Sequence, residues 1–523
     1  MSGKPAKLIQ KAQSLLTNGD FKEAWKIIID ITVGDLTSIP QKIDYSLLKA
    51  EILMKETNYQ QALPLVKTTF KKSVENHLPD KLIKALNLVT RCFFCLGLMD
   101  EWFIFFKKFN EEEIVKNLSQ RERNKYLGTF YHCKGTIYWM KGELPAALEW
   151  LEKSLDLRKK LGNQKDLAYT LNNLGLVYWY QGNLNQAMVS FQKSARIKKR
   201  LGEKLALTRS FENIGIIYRQ KGELNKALSY FQKSLTIRQK IGNKKDIAGS
   251  LENIGMVYRR QGDLEKAEKY LQESLVIGYE IGNNWNISYT LFALISLEVS
   301  KMDFSNSEAE SFIALKKGKS LLRQLKTIAQ TEDNKLINQR YSLAKASLLK
   351  LSDKEEEQIM AFQTFKKVIE EEIVAHELTI FSMINLCEIL FKQYVSSGEQ
   401  EKLIYLIQQL EEILSLAKEA QRYGIVLSVL LIQGKIFLLQ FKIKKAKKLL
   451  KQIKVEAKKR GYKLVIHQCE KELDKLIEYS TLEIILSEKQ KKEEELFRQQ
   501  QTEDIFKYLK DVSLQLQTLD KKG

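Results

Sequence analysis

Apolar positions recur with a helical period along most of the chain, and short polar breaks cut them into pairs. In residues 165–204, Leu171, Leu174, Gly175 and Tyr178 fall at i, i+3, i+4 and i+7, and Gln181-Gly182-Asn183 then interrupts. Leu184, Ala187, Met188, Phe191, Ala195 and Ile197 resume the period, and Leu201-Gly202 closes it. Lys198, Lys199 and Arg200 occupy the last turn, where positive charge suits the helix dipole. The pattern predicts two antiparallel helices. It returns every 40 residues: Gly135, Gly175, Gly215 and Gly255 each stand three residues before Tyr138, Tyr178, Tyr218 and Tyr258. Ala147, Ala187, Ala227 and Ala267 keep the same phase, as do Ser154, Ser194, Ser234 and Ser274. A fixed period of this length predicts a stacked array of one helix pair, which offers a surface before it offers an active site.

The small residues have a packing role. Gly175 and Ala187 fall where the two helices of a repeat approach most closely, with Tyr178 and Phe191 beside them. Leu174-Gly175-x-x-Tyr178 with Ala187 and Phe191, Ile214-Gly215-x-x-Tyr218 with Ala227 and Phe231, and Ile254-Gly255-x-x-Tyr258 with Ala267 and Leu271 resemble the tetratricopeptide repeat. Two departures stand out. Lys199 and Gln239 lie near the place of the family's proline, and the 40-residue repeat exceeds the usual length of about 34. Lengthened repeats closed by Leu-Gly-Asn or Ile-Gly-Asn are similar to those of kinesin light chains and Pins-like polarity adaptors, which bind extended peptides. The resemblance implies an all-α, right-handed α-solenoid of antiparallel helix pairs, with degenerate repeats at both ends.

Fainter copies extend the array. Ala50, Tyr59 and Ala62 keep the phase, Asn18-Gly19-Asp20-Phe21 with Ala24 reads as an earlier turn, and Thr90, Phe93, Met99 and Trp102 fit a third copy. Downstream, Gly434, Phe437, Ile443, Ala446, Leu450 and Gly461 repeat the spacing of Gly135, Tyr138, Leu144, Ala147, Leu151 and Gly162. Between them, 296–423 is amphipathic but out of register, with Ser305-Asn306-Ser307 and Leu351–Glu357 reading as loops or helix starts. The expected organisation is degenerate repeats over 1–124, a regular array over 125–290, irregular repeats over 291–478 and a charged helical tail over 479–523. In the tail, Ile505, Leu509, Val512, Leu516 and Leu519 form a stripe too short for a confident coiled coil and read rather as a helix capping the solenoid.

The face of each first helix opposite Leu171, Leu174 and Tyr178 carries Tyr169, Asn173, Leu176 and Tyr180, then Arg209, Asn213, Ile216 and Gln220, then Gly249, Asn253, Met256 and Arg260. In a superhelix of this family first helices line the inner groove, so these residues are expected to face one trough, flanked by Trp139, Trp179, Arg219 and Arg259. An asparagine both donates and accepts, so Asn173, Asn213 and Asn253 would grip successive peptide groups of an extended ligand, as the resemblance implies. The same position also suits bridging between neighbouring first helices. Arg209, Arg219, Arg259 and Arg260 would favour acidic side chains or a terminal carboxylate, and Trp139, Trp179 and Tyr180 would be aromatic anchors. Glu212 and Glu252 at the edge would neutralise part of the arginine charge. The expected partner is therefore a protein or peptide, extended and acidic.

Composition adds a second surface. The 523 residues contain 85 Lys or Arg against 64 Asp or Glu, a net charge of +21. From Lys442 to Lys463 the chain holds Lys444, Lys445, Lys447, Lys448, Lys451, Lys458, Lys459 and Arg460 among its basic residues, with Glu456 as the sole acid. Such a strip attracts nucleic acid, anionic lipid or an acidic protein, although no aromatic platform accompanies it. A ligand-sensing helical arm that changes curvature is a further reading. Five cysteines lack framework spacing, and Cys92-Phe-Phe-Cys95 within an apolar helix reads as core packing rather than zinc or redox chemistry. Lys317-Gly318-Lys319-Ser320 resembles the end of a P-loop, but Ile313 occupies the place of the first glycine. No hydrolase, zincin or dinucleotide motif occurs, so no enzymatic activity and no cofactor are expected. No uncharged apolar run long enough to span a membrane and no apolar signal core are present, which makes a cytoplasmic location the expectation.

Overall fold

The computed structural model describes residues 4–18, 21–56, 58–305, 307–332, 334–370 and 376–476. Among the described residues all regular structure is helical. The tail expected over 479–523 and the Gly19-Asp20 turn lie outside the described residues. Contacts divide the chain into two compact units, 1–203 and 204–523, a division inside the array expected over 125–290.

In the first unit the helices are α1 (Lys4–Asn18), α2 (Phe21–Ile29), α3 (Ile39–Lys55), α4 (Tyr59–Glu75), α5 (Pro79–Leu96), α6 (Met99–Lys107), α7 (Glu111–Lys116), α8 (Gln120–Met140), α9 (Leu144–Lys160), α10 (Gln164–Tyr180) and α11 (Leu184–Arg200). The second unit continues with α12 (Lys204–Gln220), α13 (Leu224–Ile241), α14 (Lys244–Gln261), α15 (Leu264–Glu280), α16 (Asn284–Phe304), α17 (Glu308–Thr331), α18 (Lys335–Leu349), α19 (Glu355–Glu370), α20 (His376–Ser397), α21 (Gln400–Glu419), α22 (Tyr423–Leu439) and α23 (Ile443–Arg460), and residues 463–476 are helical. Consecutive helices pair along each unit, so each is an α-solenoid.

The 40-residue phase has a physical explanation at each position. A Cβ built on Gly175 would meet the Phe191 ring at 2.6 Å, and one on Gly215 would meet Phe231 at 2.6 Å. Only a residue without a side chain lets the paired helices close over those rings. The phase serine explains itself through hydrogen bonding: Ser154 donates to the Gly128 carbonyl at 2.6 Å, Ser194 to Ala168 at 2.7 Å and Ser274 to Ala248 at 2.9 Å. Each ties a second helix to its own first helix through a buried hydroxyl. Where an asparagine follows the closing glycine it starts the next repeat: Asn163 and Asn243 accept from the backbone N–H of Asp166 and Asp246 at 3.2 Å.

The loss of register in 296–423 follows from helix length. The array's helices run 17 or 18 residues from α9 to α15, whereas α16 has 21 and α17 has 24. Lengthened helices move the next copy out of phase without breaking the pairing. With α22 and α23 at 17 and 18 residues the phase returns, and the Cβ position of Gly434 again lies 3.0 Å from Leu450. Ser307 caps α17 by accepting from the Glu310 N–H, so Ser307 is a helix start. Gly318 sits inside α17, not in a loop.

Residues Leu378–Ser397 of α20 form the one described helix long and apolar enough to cross a membrane. Its Met383, Leu386, Cys387, Ile389, Leu390 and Tyr394 are packed in an interior cluster with Phe365, Leu406 and Ile432. Glu388 and Lys392 interrupt its apolar run.

Candidate functional site on the first-helix faces

Three successive first helices of the first unit, α5, α8 and α10, end in a connected row of aromatic rings. Phe94 stacks on Trp139 at 6.3 Å, Trp139 meets Tyr180 edge-on at 5.7 Å, and Tyr180 meets Trp179 at 4.9 Å. Tyr180 and the adjoining Met140 are exposed at 37% and 41%. Phe94 is the member that the sequence reading missed. The offset that matches Thr90 and Phe93 to Gly135 and Tyr138 sets Phe94 at the place of Trp139, so the spacing carried the signal.

Beside this row the polar groups bridge helices. Asn173 donates through Nδ2 to Thr136 Oγ1 at 3.0 Å and lies 3.4 Å from His132 Nε2, both on α8. Cys133 holds the equivalent place one copy earlier, and its Sγ lies 3.8 Å from Asn87 Oδ1 on α5. Arg158 reaches from α9 to the Asp166 carbonyl at 2.9 Å and Thr170 Oγ1 at 2.6 Å. Burial, reinforced by the Arg158 cation, holds His132 well below its ordinary pKa, so its imidazole is neutral. Tyr169 lies beneath Lys198 Nζ, 5.3 Å from the ring centroid, and Leu176 is half-buried.

In the second unit the same position repeats the bridge with stronger charges. Asn253 donates to Glu212 Oε2 at 2.8 Å, Ser250 donates to Glu212 Oε1 at 2.7 Å, and Arg238 Nη1 lies 3.0 Å from the same oxygen. Glu252 is buried and accepts from Thr290 Oγ1 at 3.4 Å. Burial pushes its carboxyl up to about 8, against the pull of Arg340 and Arg219 and with the repulsion of Glu212.

These contacts correct part of the expected groove. Asn173 and Asn253 spend their donor groups between first helices, so they are not an open ladder for ligand backbone. Asn213 is half-buried on α12. Arg219 is only 3% exposed and belongs to the wall, not to the surface of the trough. Arg259 is half-buried and donates to Ser300 Oγ at 3.1 Å; burial, then Arg260 and Arg219, lower it to about 10. Arg209 is exposed and Arg260 half-buried. Ile216 borders the cluster that joins Leu224, Ile254 and Leu427, and Met256 borders the one around Leu271 and Leu294. Glu212 and Glu252, expected at the rim, are interior.

The second unit also closes on itself. Arg460 Nη1 donates to the Lys221 carbonyl at 2.7 Å, and its guanidinium lies 3.5 Å from the Tyr423 ring centroid. Tyr462 covers the turn at Gly222, and Lys463 the turn at Gly262. Both glycines hold a left-handed φ of about 75°, and an added Cβ would lie 3.1 Å from Tyr462 or 3.0 Å from Lys463. His467 stacks on Phe304 at 4.8 Å. Arg460 therefore leaves the basic strip and serves as a structural tie. The repeat pattern at 434–461 signals a copy of the unit, but nothing in it signals which earlier turns that copy will touch.

Cys92, Cys133, Cys387 and Cys469 are buried, while Cys95 is exposed, so only the first member of the Cys92–Cys95 pair packs in the core. Burial raises the Cys92 thiol to about 12 and Cys133 to about 11. Among the described residues no three His, Cys, Asp or Glu side chains cluster as metal ligands would.

Residues 126–200 and 205–277 match the family described as Tetratricopeptide repeat, and those segments are tetratricopeptide repeats. Among solved structures, the apo form of RapI is 19% identical, with a TM-score of 0.50 over 73% of this chain and 97% of its own. A Rap protein complexed with competence and sporulation factor is 14% identical, with a TM-score of 0.47 over 80% of this chain and 100% of its own. BtubC (BKLC) from P. vanneervenii is 19% identical, with a TM-score of 0.37 over 42% of this chain and 93% of its own. The likeness to RapI is one of fold. A comparison with curated protein sequences gives no match.

Proposed function

We propose that the chain is a non-catalytic scaffold that receives an extended segment of a partner protein on the first-helix face of its tetratricopeptide repeats. The observation that carries this reading is the row of Phe94, Trp139, Tyr180 and Trp179, which spans the ends of three neighbouring first helices. A soluble solenoid gains nothing in stacking from exposing Tyr180 and Met140 at this edge, whereas rigid aromatic rings make strong anchors for a partner. The polar bridges behind the row hold it in place.

The test is selection of binding peptides from a random displayed library on the full-length chain, followed by titration of the selected peptide. Trp139→Ala with Trp179→Ala should weaken that peptide by about 30-fold or more. An unchanged affinity in a folded double variant removes the aromatic row as the site.

A further inference from the structure

The outer side of α23 is a face of lysines. Lys444, Lys445, Lys447, Lys448, Lys451, Lys458 and Lys459 are all exposed, opposite the buried Ala446, Leu450, Ile453 and Ala457. At 100° per residue Lys444, Lys448, Lys451, Lys458 and Lys459 share one side of the helix, and from Lys444 to Lys459 they span about 22 Å. Charges elsewhere in this region are matched in pairs: Lys435 with Glu472 at 3.7 Å, Lys454 with Glu470 at 2.8 Å and Arg460 with Glu456 at 2.5 Å. Among the described residues, none of the seven outer lysines has a carboxylate within 4.0 Å. The paired acids near α23 thus lie on its flanks, and among the described residues no carboxylate compensates its crest.

We propose that this crest is a docking surface for an anionic phospholipid bilayer. Three features favour a bilayer over a nucleic acid. First, α23 contains no aromatic residue on which a base would stack, and its one arginine is tied inward by the Lys221 carbonyl. Second, lysines are point charges, and lipid headgroups diffuse to meet whatever spacing they have, whereas duplex phosphates sit on a fixed lattice. Third, Val455 stands 69% exposed in the middle of the lysine face and presents an apolar contact that suits the headgroup boundary. The ammonium groups gather acidic headgroups and release their counterions, while the inner side of the helix stays locked into its unit by Ala446, Leu450 and Ile453. This inference is independent of the aromatic row, which lies in the other unit.

The full chain is sedimented with phosphatidylcholine vesicles, with vesicles that also contain phosphatidylserine, and separately titrated with random-sequence duplex DNA. Binding to the phosphatidylserine vesicles alone is expected, weakening as salt rises. Each lysine near an anionic surface contributes about five-fold, so Lys444→Gln, Lys448→Gln, Lys451→Gln and Lys458→Gln together should weaken that binding about 100-fold or more. All four are exposed, and an unchanged circular dichroism spectrum confirms the fold. Val455→Ser should weaken vesicle binding several-fold and leave any retention on DNA unchanged. No binding to anionic vesicles, undiminished binding by the quadruple variant, or tighter binding to DNA than to vesicles would overturn the proposal.

Discussion

Trp139 and Trp179 in the first unit hold the same place in the 40-residue copy as Arg219 and Arg259 in the second, yet the two pairs have different fates. The tryptophans join Tyr180 in a row that reaches the surface. The arginines turn into the wall, Arg219 at 3% exposure and Arg259 bonded to Ser300. The polar layer behind them differs as well: Thr136, with a neutral His132 beside it, receives the bridge in the first unit, and the carboxylate of Glu212 in the second. A shared phase therefore fixes where a residue stands and not what it does.

The largest expected effect strikes what both units share. Gly175→Val and Gly215→Val force a side chain into a phenylalanine ring 2.6 Å from the Cβ position, and each should cost about 3 kcal/mol or more in urea denaturation. If one unit tolerates its substitution, the two are not built alike. Next is the aromatic row: Trp139→Ala should remove about 2 kcal/mol of partner affinity by calorimetry, while Arg259→Ala should leave that affinity within experimental error.

Smaller is a pH effect confined to the second unit. Glu252 is held near 8 in the folded chain against an ordinary 4.5, so between those values the folded state binds the extra proton. Its contribution to stability is thus favourable at low pH and is lost as pH rises from about 4.5 to about 8. Glu252→Gln should raise the melting temperature by a few degrees at pH 8 relative to the parent and by little at pH 5. Smallest is Asn253→Ala, expected to cost about 1 kcal/mol because Glu212 loses a donor, with no change in partner binding.

Much of the fold was legible because its determinants are local and repeated. Gly175, Ala187 and Ser194 occupy positions where a helix pair admits only a small or hydrogen-bonding residue, so their spacing announces the pair. The site was legible as a list of positions but not as a list of roles. Asn173 looks the same in sequence whether it meets a ligand or Thr136, because the choice depends on how far apart neighbouring first helices stand. The inward turn of Arg460 was hidden for another reason: its acceptor, the Lys221 carbonyl, is 239 residues away and carries no side-chain signature.

The central claim is that the repeat phase builds the stack while the aromatic row at the ends of α5, α8 and α10 selects the partner. The most direct measurement is affinity capture from cells with the parent chain, the Trp139→Ala and Trp179→Ala double variant, and an Asn173→Ala variant in parallel. The account predicts that a specific partner recovered with the parent and with Asn173→Ala disappears with the tryptophan variant. Retention of that partner by the tryptophan variant, with loss in Asn173→Ala, would contradict it.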